Sequence, residues 1–486
     1  ESMARPPPNG SAELEDAASI LEYLAWGRIR TSDLNEKITR EAALRPSIRT
    51  DLNGDGGDAT NEALIDGFDT RSAQLSFLQL LLPSRHQIQQ LVDWHIERIL
   101  WYHNSFYAPT FRRQLEDFFS KHAGLVDHDG LNLLWVSLLF AVMAGSIAYA
   151  SNDQVKQWGF QGQEQRTLSK QWCAAVMTCL NVAQYTANHS ILSVQAIVSY
   201  TIVAHLLGQS NNHAVTLAAA IRIAQSLGLH RLSNEASGNI IELETGRRLW
   251  AQLCVQDWFG IPFSETYFIN PLYSTSAAPR NCYDEDFTTV LGESIPTNIT
   301  YCRLHHKIAL CMTRLQDETM VANTPYTKYE AVLKYDKEMR AIAAARPSCL
   351  ASNSPISPSW PAYIPWARRA TTVSTSHKII MIHRNFLGAS FTNPVFSYTR
   401  RTCIASSRTI LKEFKAAAEE DGPIVWTFEA FAIAASIILC LDIMHRGLGE
   451  KDCMENRKLV EDGIAVLRRS RVSAVAYRGV RLLDAL

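Results

Sequence analysis

Three stretches of the chain are apolar on nearly every face. Leu131 to Ala150 has no charged residue, and Ile191 to Leu207 and Ile424 to Met444 come close to that. At 1.5 Å per residue the first would span about 30 Å, enough to cross the hydrocarbon core of a bilayer. Asn132, Ser137, Gly145 and Ser146 within it, Asp127 and Asp129 before it, and the lack of a flanking Lys/Arg bias favour a helix buried in a protein core. Together the three stretches predict the central helices of a large bundle.

Elsewhere the hydrophobic period marks amphipathic helices. Ser84 to Trp101 follows Pro83, opens with a Ser84-x-x-Gln87 capping box and places Ile88, Leu91, Val92, His95, Ile96 and Ile99 on one face. Ala214 to Leu227 is rich in small residues and stops at Gly228, the residue expected for a left-handed C-terminal cap. Leu243 to Trp258 carries a Glu244/Arg248 pair at i,i+4 and a stripe of Leu243, Arg247, Trp250, Cys254 and Asp257. No stretch alternates in the manner of paired strands with hairpin turns. The predicted class is all-α, a large multi-helix body.

Between Arg346 and Trp366, Pro347, Pro355, Pro358, Pro361 and Pro365 alternate with serines, and helix cannot persist through that density of proline. The expected organisation is a flexible segment over 1–70 with a short helix at Ala12 to Ile29, an N-terminal helical part over 71–345, a linker over 346–366 and a C-terminal helical part over 367–486. The stretch 272–300, with Pro279, Asn281, Gly292, Pro296 and Asn298, is expected to be irregular.

Composition narrows the function classes. Of 486 residues, 47 are Lys or Arg and 48 Asp or Glu, a net charge of -1, so there is no basic excess of the kind a DNA-binding domain carries. No membrane partner is expected. The ten cysteines form no CxxC pair and lie in apolar surroundings, which predicts reduced, buried thiols. The polar, Pro-rich Glu1 to Gly10 has no apolar h-region, and the expectation is an intracellular protein. Glu1-Ser2 ahead of Met3 reads as a scar or an excised fragment, with room for domains upstream.

Candidate chemistry is sparse. Asp51, Asn53, Asp55, Gly56 and Glu62 satisfy an EF-hand pattern, but Asp58 stands at the eighth, normally apolar position and Pro46 interrupts an entering helix, so a polar loop is the expectation. His305 and His306 are adjacent and point to different helix faces, and HExxH spacing does not occur, so no metal site is predicted. His95 interrupts an apolar helix face. Asp442 and His445, three apart, are placed to pair on one side of a helix. Arg468, Arg469, Arg471, Arg478 and Arg481 cluster along a predicted helix and read as a solvated face. A GxSxG elbow, a Walker loop and a GxGxxG turn do not occur, which leans the reading away from an enzyme.

A series of short motifs runs from Leu82-Pro83-Ser84-Arg85 and Leu91-Val92-Asp93-Trp94-His95-Ile96 through Ala108-Pro109-Thr110-Phe111 and Leu115-Glu116. Ser193-Val194-Gln195-Ala196, Ala219 to Arg231 and Glu244-x-x-Arg247-Arg248-Leu249-Trp250 with Asp257 follow, then His383-Arg384-Asn385-Phe386-Leu387. Their order resembles the middle homology region of fungal zinc-cluster transcription factors. The matches cover about 80–445. Gly228, Arg247, Arg248 and Trp250 read as structural signatures of that resemblance. Arg247 and Asp257 stand about 15 Å apart along a helix and so do not pair with each other. The family's Gly-Arg-Pro after the Asp-bearing helix is not found; the chain reads Phe259-Gly260-Ile261-Pro262 there.

What the resemblance implies is the regulatory domain of a nuclear transcription factor of metabolic or secondary-metabolite genes. It would respond to a small-molecule effector or a partner, dimerise, and reach DNA only through a domain absent from this chain. Zinc is expected only in a six-cysteine cluster that is also absent, and no cofactor is expected here. The alternative is an enzyme or metabolite-binding protein built on the same body. His95, His230, Asp257, Asp442 and His445 are the candidate ligand-binding groups.

Overall fold

The computed structural model describes residues 59–352, 354–420, 422–446 and 451–486. The side chains of the Asp51 to Glu62 calcium pattern and the helix read over Ala12 to Ile29 lie outside the described residues. Among the described residues helix follows helix with no strand between. The first are α1 (Ala59–Leu80), α2 (Arg85–Arg98), α3 (Ala108–Ser120), α4 (Leu133–Tyr149), α5 (Glu164–Val182) and α6 (Ile191–Leu206). Then come α7 (Ser210–Ser226), α8 (Ile240–Trp258), α9 (Thr300–Val321), α10 (Pro325–Ala344) and α11 (Ile364–Leu387). α12 (Ser397–Ala418), α13 (Trp426–Arg446), α14 (Lys451–Leu467) and α15 (Ala474–Leu483) complete the body. Helix α1 begins at Ala59, inside the 1–70 stretch that the sequence reads as flexible.

Local signals act where the sequence puts them. Ser84 Oγ accepts from the Gln87 N–H at 3.3 Å, and Gln87 Oε1 accepts from the Ser84 N–H at 3.1 Å, so both halves of the capping box of α2 are made. Asn132 caps α4 by accepting from the Leu134 N–H. Gly228 ends the α7 segment with φ +77°, a left-handed conformation in which a Cβ would be strained, and a short 3-10 turn, Leu229–Arg231, follows.

All residues of α4 are buried, as its uniform apolarity requires. It packs on α2, α5 and α6. After the Pro-rich segment, α11 packs on α12, α12 on α13, and α13 on α14 and α15. The two groups meet through α9 and α10, which both pack on α11, and through α6, which touches α13 and α15 directly. One hydrophobic cluster runs from Leu78 to Leu483. Helix α13 is long and apolar enough to cross a membrane, but most of it is buried against its neighbours.

The Pro-rich stretch lies against this body. Cys349 and Leu350 are fully buried, the Arg368 guanidinium donates to Cys349 O and Ser354 O at 2.7 Å each, and the Tyr363 hydroxyl donates to Thr297 O. The arginines near the C-terminus do not share one helix: Arg468, Arg469 and Arg471 lie in the turn after α14, and Arg478 and Arg481 belong to α15. Serines interrupt the run there, and Ser473 caps the new helix.

Glu429 stands in the first turn of α13 at 6% exposure. Burial raises its carboxyl from 4.5 to about 7, only partly offset by hydrogen bonds from Ser473 and Ser470. Because the folded state holds the proton more tightly than the unfolded chain, stability from this group is full below about pH 4.5. It is lost as pH rises towards about 7, by about 3 kcal/mol. Urea unfolding of Glu429→Gln is expected to show a flatter stability-against-pH curve than the unaltered chain over that window, with the variant the more stable of the two above it.

Candidate functional site

A cavity of about 170 Å³ opens where α6, α7, α8 and α9 meet α11 and α13. Each of these helices brings polar atoms to an otherwise apolar wall. On α6, Thr201 lies 3.0 Å from His213 Nε2 of α7 and donates to Gln256 Oε1 at 3.0 Å. One turn on, the His205 ring stacks on Trp426 of α13 with centroids 4.2 Å apart, while its Nδ1 lies 2.9 Å from Ser210 Oγ. These residues share the wall because i, i+4 positions of a helix lie on one side.

From α9 comes His305, stacked on Tyr301 at 3.8 Å. Its Nδ1 lies 3.1 Å from Tyr301 O, which can only accept, so Nδ1 carries the proton and Nε2 is a bare acceptor. Burial lowers the imidazole from 6.5 to about 3, with the Lys378 charge pushing the same way and the Tyr301 bond opposing. From α11 comes Lys378, 1% exposed, with Nζ 4.2 Å from the Phe259 ring centroid and 5.1 Å from that of Phe431. Asp257 of α8 completes the wall. Its Oδ2 accepts from the Phe268 N–H at 2.9 Å and the Ile269 N–H at 2.7 Å, fixing the loop behind the short helix Ile261–Ser264. Burial raises the Asp257 carboxyl while these two donors pull it back down.

Of the five residues that the sequence singles out as ligand-binding candidates, Asp257 lines this cavity. The other four sit elsewhere. His95 is fully buried between Val142 O and His103 Nε2, each 3.0 Å away, and burial lowers it to about 3. His230 is half-buried in a separate, more open pocket of about 630 Å³ beside Trp250 and Tyr273, and accepts from Arg231 Nε at 3.0 Å. Asp442 is buried and binds Arg400 Nε at 2.9 Å, Arg446 Nε at 3.2 Å and Asn456 Nδ2 at 3.4 Å. The exposed His445, by contrast, faces the Phe391 ring at 5.3 Å. Their spacing permits a carboxylate–imidazole pair, but the arginines are the stronger partners for a buried carboxylate.

His205, His213, His305 and Lys378 were not among those candidates. The one sequence signal is a lysine set between His377 and Ile379-Ile380 in a helix whose neighbours are apolar. Among the described residues no group of three or more His, Cys, Asp or Glu side chains is placed to hold a metal ion.

The signature residues build the frame around α8. Arg247, 1% exposed, donates to Leu232 O at 3.0 Å and Ser233 O at 2.5 Å, and stands 3.5 Å from Glu244. Arg248 does not close the i,i+4 pair with Glu244; it reaches across to Asp284 Oδ1 at 2.7 Å, while Glu244 Oε1 accepts from the Arg280 N–H at 2.6 Å. Tertiary partners outcompete the local pair because both groups are desolvated and need short, well-directed bonds. Trp250 Nε1 donates to Ser274 Oγ at 2.9 Å. The 272–300 segment is thus irregular in conformation and fixed in place by side chains of α8.

No family model matches the chain. It is 25% identical over 436 residues, 84% of its length, to the agnestins biosynthesis cluster transcription factor AgnL11 of Paecilomyces divaricatus. It is 23% identical to the probable transcription factor lepB of Aspergillus flavus over 70% of its length, and 23% identical to the transcription factor phm2 of Pyrenochaetopsis sp over 76%. These curated relatives are fungal transcription factors. The chain spans 62%, 64% and 51% of their respective lengths. The fold is similar to that of a chain in the K. lactis CBF3 core, with a TM-score of 0.57, 14% identity, and coverage of 98% of this chain and 90% of that one.

Removing Arg247 leaves Glu244 buried without its guanidinium and frees two carbonyls of the 232–233 turn. Arg247→Ala is expected to cost about 3–5 kcal/mol in urea-induced unfolding. Arg85→Ala, in an exposed pair with Glu116, is expected to cost below about 1 kcal/mol under the same conditions.

Proposed function

We propose that the chain is the regulatory body of a fungal transcription factor that controls a set of biosynthetic genes, and that the cavity between α6, α8, α9, α11 and α13 is its effector site. The observation that carries the reading is position. The cavity lies where the helices before the Pro-rich segment meet those after it, so a bound molecule touches both groups at once. An effector that fits one mutual packing better than another shifts the balance between them, in proportion to its differential affinity. The relatives named as transcription factors, one of them of a biosynthesis cluster, support the regulatory part. The near-zero net charge fits a division of labour in which DNA is contacted by a segment outside these residues, where a zinc cluster would also belong. The nucleus is the proposed location, and a homodimer the proposed state.

Protein purified from a fungal host is expected to release a small organic molecule on denaturation, detectable by mass spectrometry. Adding that compound back at about 100 times its Kd is expected to stabilise the chain by about 2.7 kcal/mol. Deleting the gene in its host is expected to abolish transcripts of the biosynthetic genes under its control. Unchanged transcripts would remove the regulatory reading. A chain that releases nothing and is stabilised by no compound from the host's extract would remove the effector reading.

A further inference from the structure

We infer that the open pocket beside Trp250, separate from the effector cavity, binds a nucleoside monophosphate, with its phosphate at Arg222 and Arg231 and its base on the exposed rings of Phe268 and Tyr273.

The backbone brings the two arginines to one place. Arg222 stands near the end of α7, and the left-handed Gly228 turns the chain so that Leu229–Arg231 follows at once as a 3-10 turn. Both arginines are exposed, and both line the same pocket of about 630 Å³. Arg222 makes no hydrogen bond or ion pair among the described residues. Arg231 makes one, from Nε to His230 Nε2 at 3.0 Å, which leaves both of its terminal nitrogens to a ligand. No carboxylate lines the pocket, and burial together with the Arg231 charge lowers the His230 imidazole and keeps it neutral.

This charge selects the anion. Two guanidinium groups are half neutralised by one carboxylate, but nearly matched by a phosphate monoester, which carries about -1.5 to -2 at pH 7. Its three terminal oxygens also accept from two planar forks at once, the bidentate geometry that suits guanidinium.

The opposite side of the pocket offers rings. Phe268 is 64% exposed and Tyr273 78% exposed, and the loop that carries them is pinned at several points. Asp257 holds the Phe268 and Ile269 N–H groups, Asn270 Oδ1 accepts from the Leu272 N–H at 2.9 Å, and Ser274 Oγ accepts from Trp250. His230 O then accepts from the N–H groups of Thr275 and Ser276 at 2.9 and 3.0 Å, which ties this loop to the turn bearing Arg231. Rings and cations therefore stand in fixed relation before anything binds, and little ordering cost remains. A flat base stacks on such rings through its face, and the volume suits a small molecule of this size. A sugar phosphate would serve the arginines and leave the rings bare; a nucleoside would do the opposite.

Calorimetric titration of the full chain with AMP, GMP, CMP and UMP tests this directly. The matching nucleosides lack the phosphate, and ribose 5-phosphate lacks the base. At least one nucleotide is expected to bind at least about tenfold more tightly than both of its controls, and more weakly as salt rises from about 50 to about 300 mM. The double variant Arg222→Ala/Arg231→Ala is expected to erase the advantage over the nucleoside. Tyr273→Ala is expected to reduce the advantage over ribose 5-phosphate by at least about threefold. All three side chains are exposed, and an unchanged melting temperature checks that each variant folds; should one not fold, the comparisons on the unaltered chain decide. Equal affinities for nucleotide, nucleoside and ribose 5-phosphate, no binding of any of them at about 1 mM, or nucleotide binding that the folded double variant retains in full would overturn the inference.

Discussion

A helix that is apolar on every face must be enclosed by other helices, and this one requirement shapes the molecule. Helix α4 is buried along its whole length and α6 nearly so, and α6 contacts α4, α5, α7, α8, α13 and α15. Around such a hub the remaining helices need only one apolar side each, and their period shows it. Helix α13 repeats the arrangement among the later helices, and the α6–α13 contact joins the two groups into one core.

Enclosure on that scale raises a second demand, since every polar atom inside must find a partner. Ser146 donates to Leu91 O at 2.7 Å, Tyr149 to Ile202 O at 2.8 Å, and Ser137 to Val176 O at 3.0 Å, each tying one helix to the backbone of the next. The buried arginines do the same for irregular chain. Arg247 holds 232–233, Arg248 holds Asp284, and Arg368 holds 349–354, because a guanidinium has more donors than one carboxylate can satisfy and turns its spare N–H groups to carbonyls. The long segments at 272–300 and 346–366 therefore keep fixed positions with little helix of their own. His383 plays a similar part between α10, α11 and α12: Nε2 stands 3.3 Å from Asp336 and Nδ1 2.9 Å from Thr399, and Asp336 also accepts from Tyr398 at 2.7 Å.

This satisfaction is incomplete at several buried atoms, among them Trp135 Nε1, Ser407 Oγ and Ser436 Oγ, and at the cavity. His305 Nε2 is left without a donor, Lys378 lies over aromatic faces, and the space between them is bounded by rings from α9 and α13. The cavity adjoins helices on both sides of the Pro-rich segment. Its contents would bear on how the two groups pack.

Local features needed only the sequence. The capping box at Ser84, the left-handed Gly228, the all-round burial of α4 and the end of helix before the prolines at 347–365 all follow from groups within a few residues of each other. Asp257 was legible as a charged residue on a buried stripe that would demand partners. Which partners it would find was not, and the same holds for Glu244, whose apparent mate Arg248 turned to Asp284. The cavity gathers Thr201, Asp257, His305 and Lys378 from four helices far apart in the chain. Periodicity states which face of a helix is inside, but not which other face it will meet there. That choice belongs to side-chain packing among all the helices at once, and only the tertiary structure decided it.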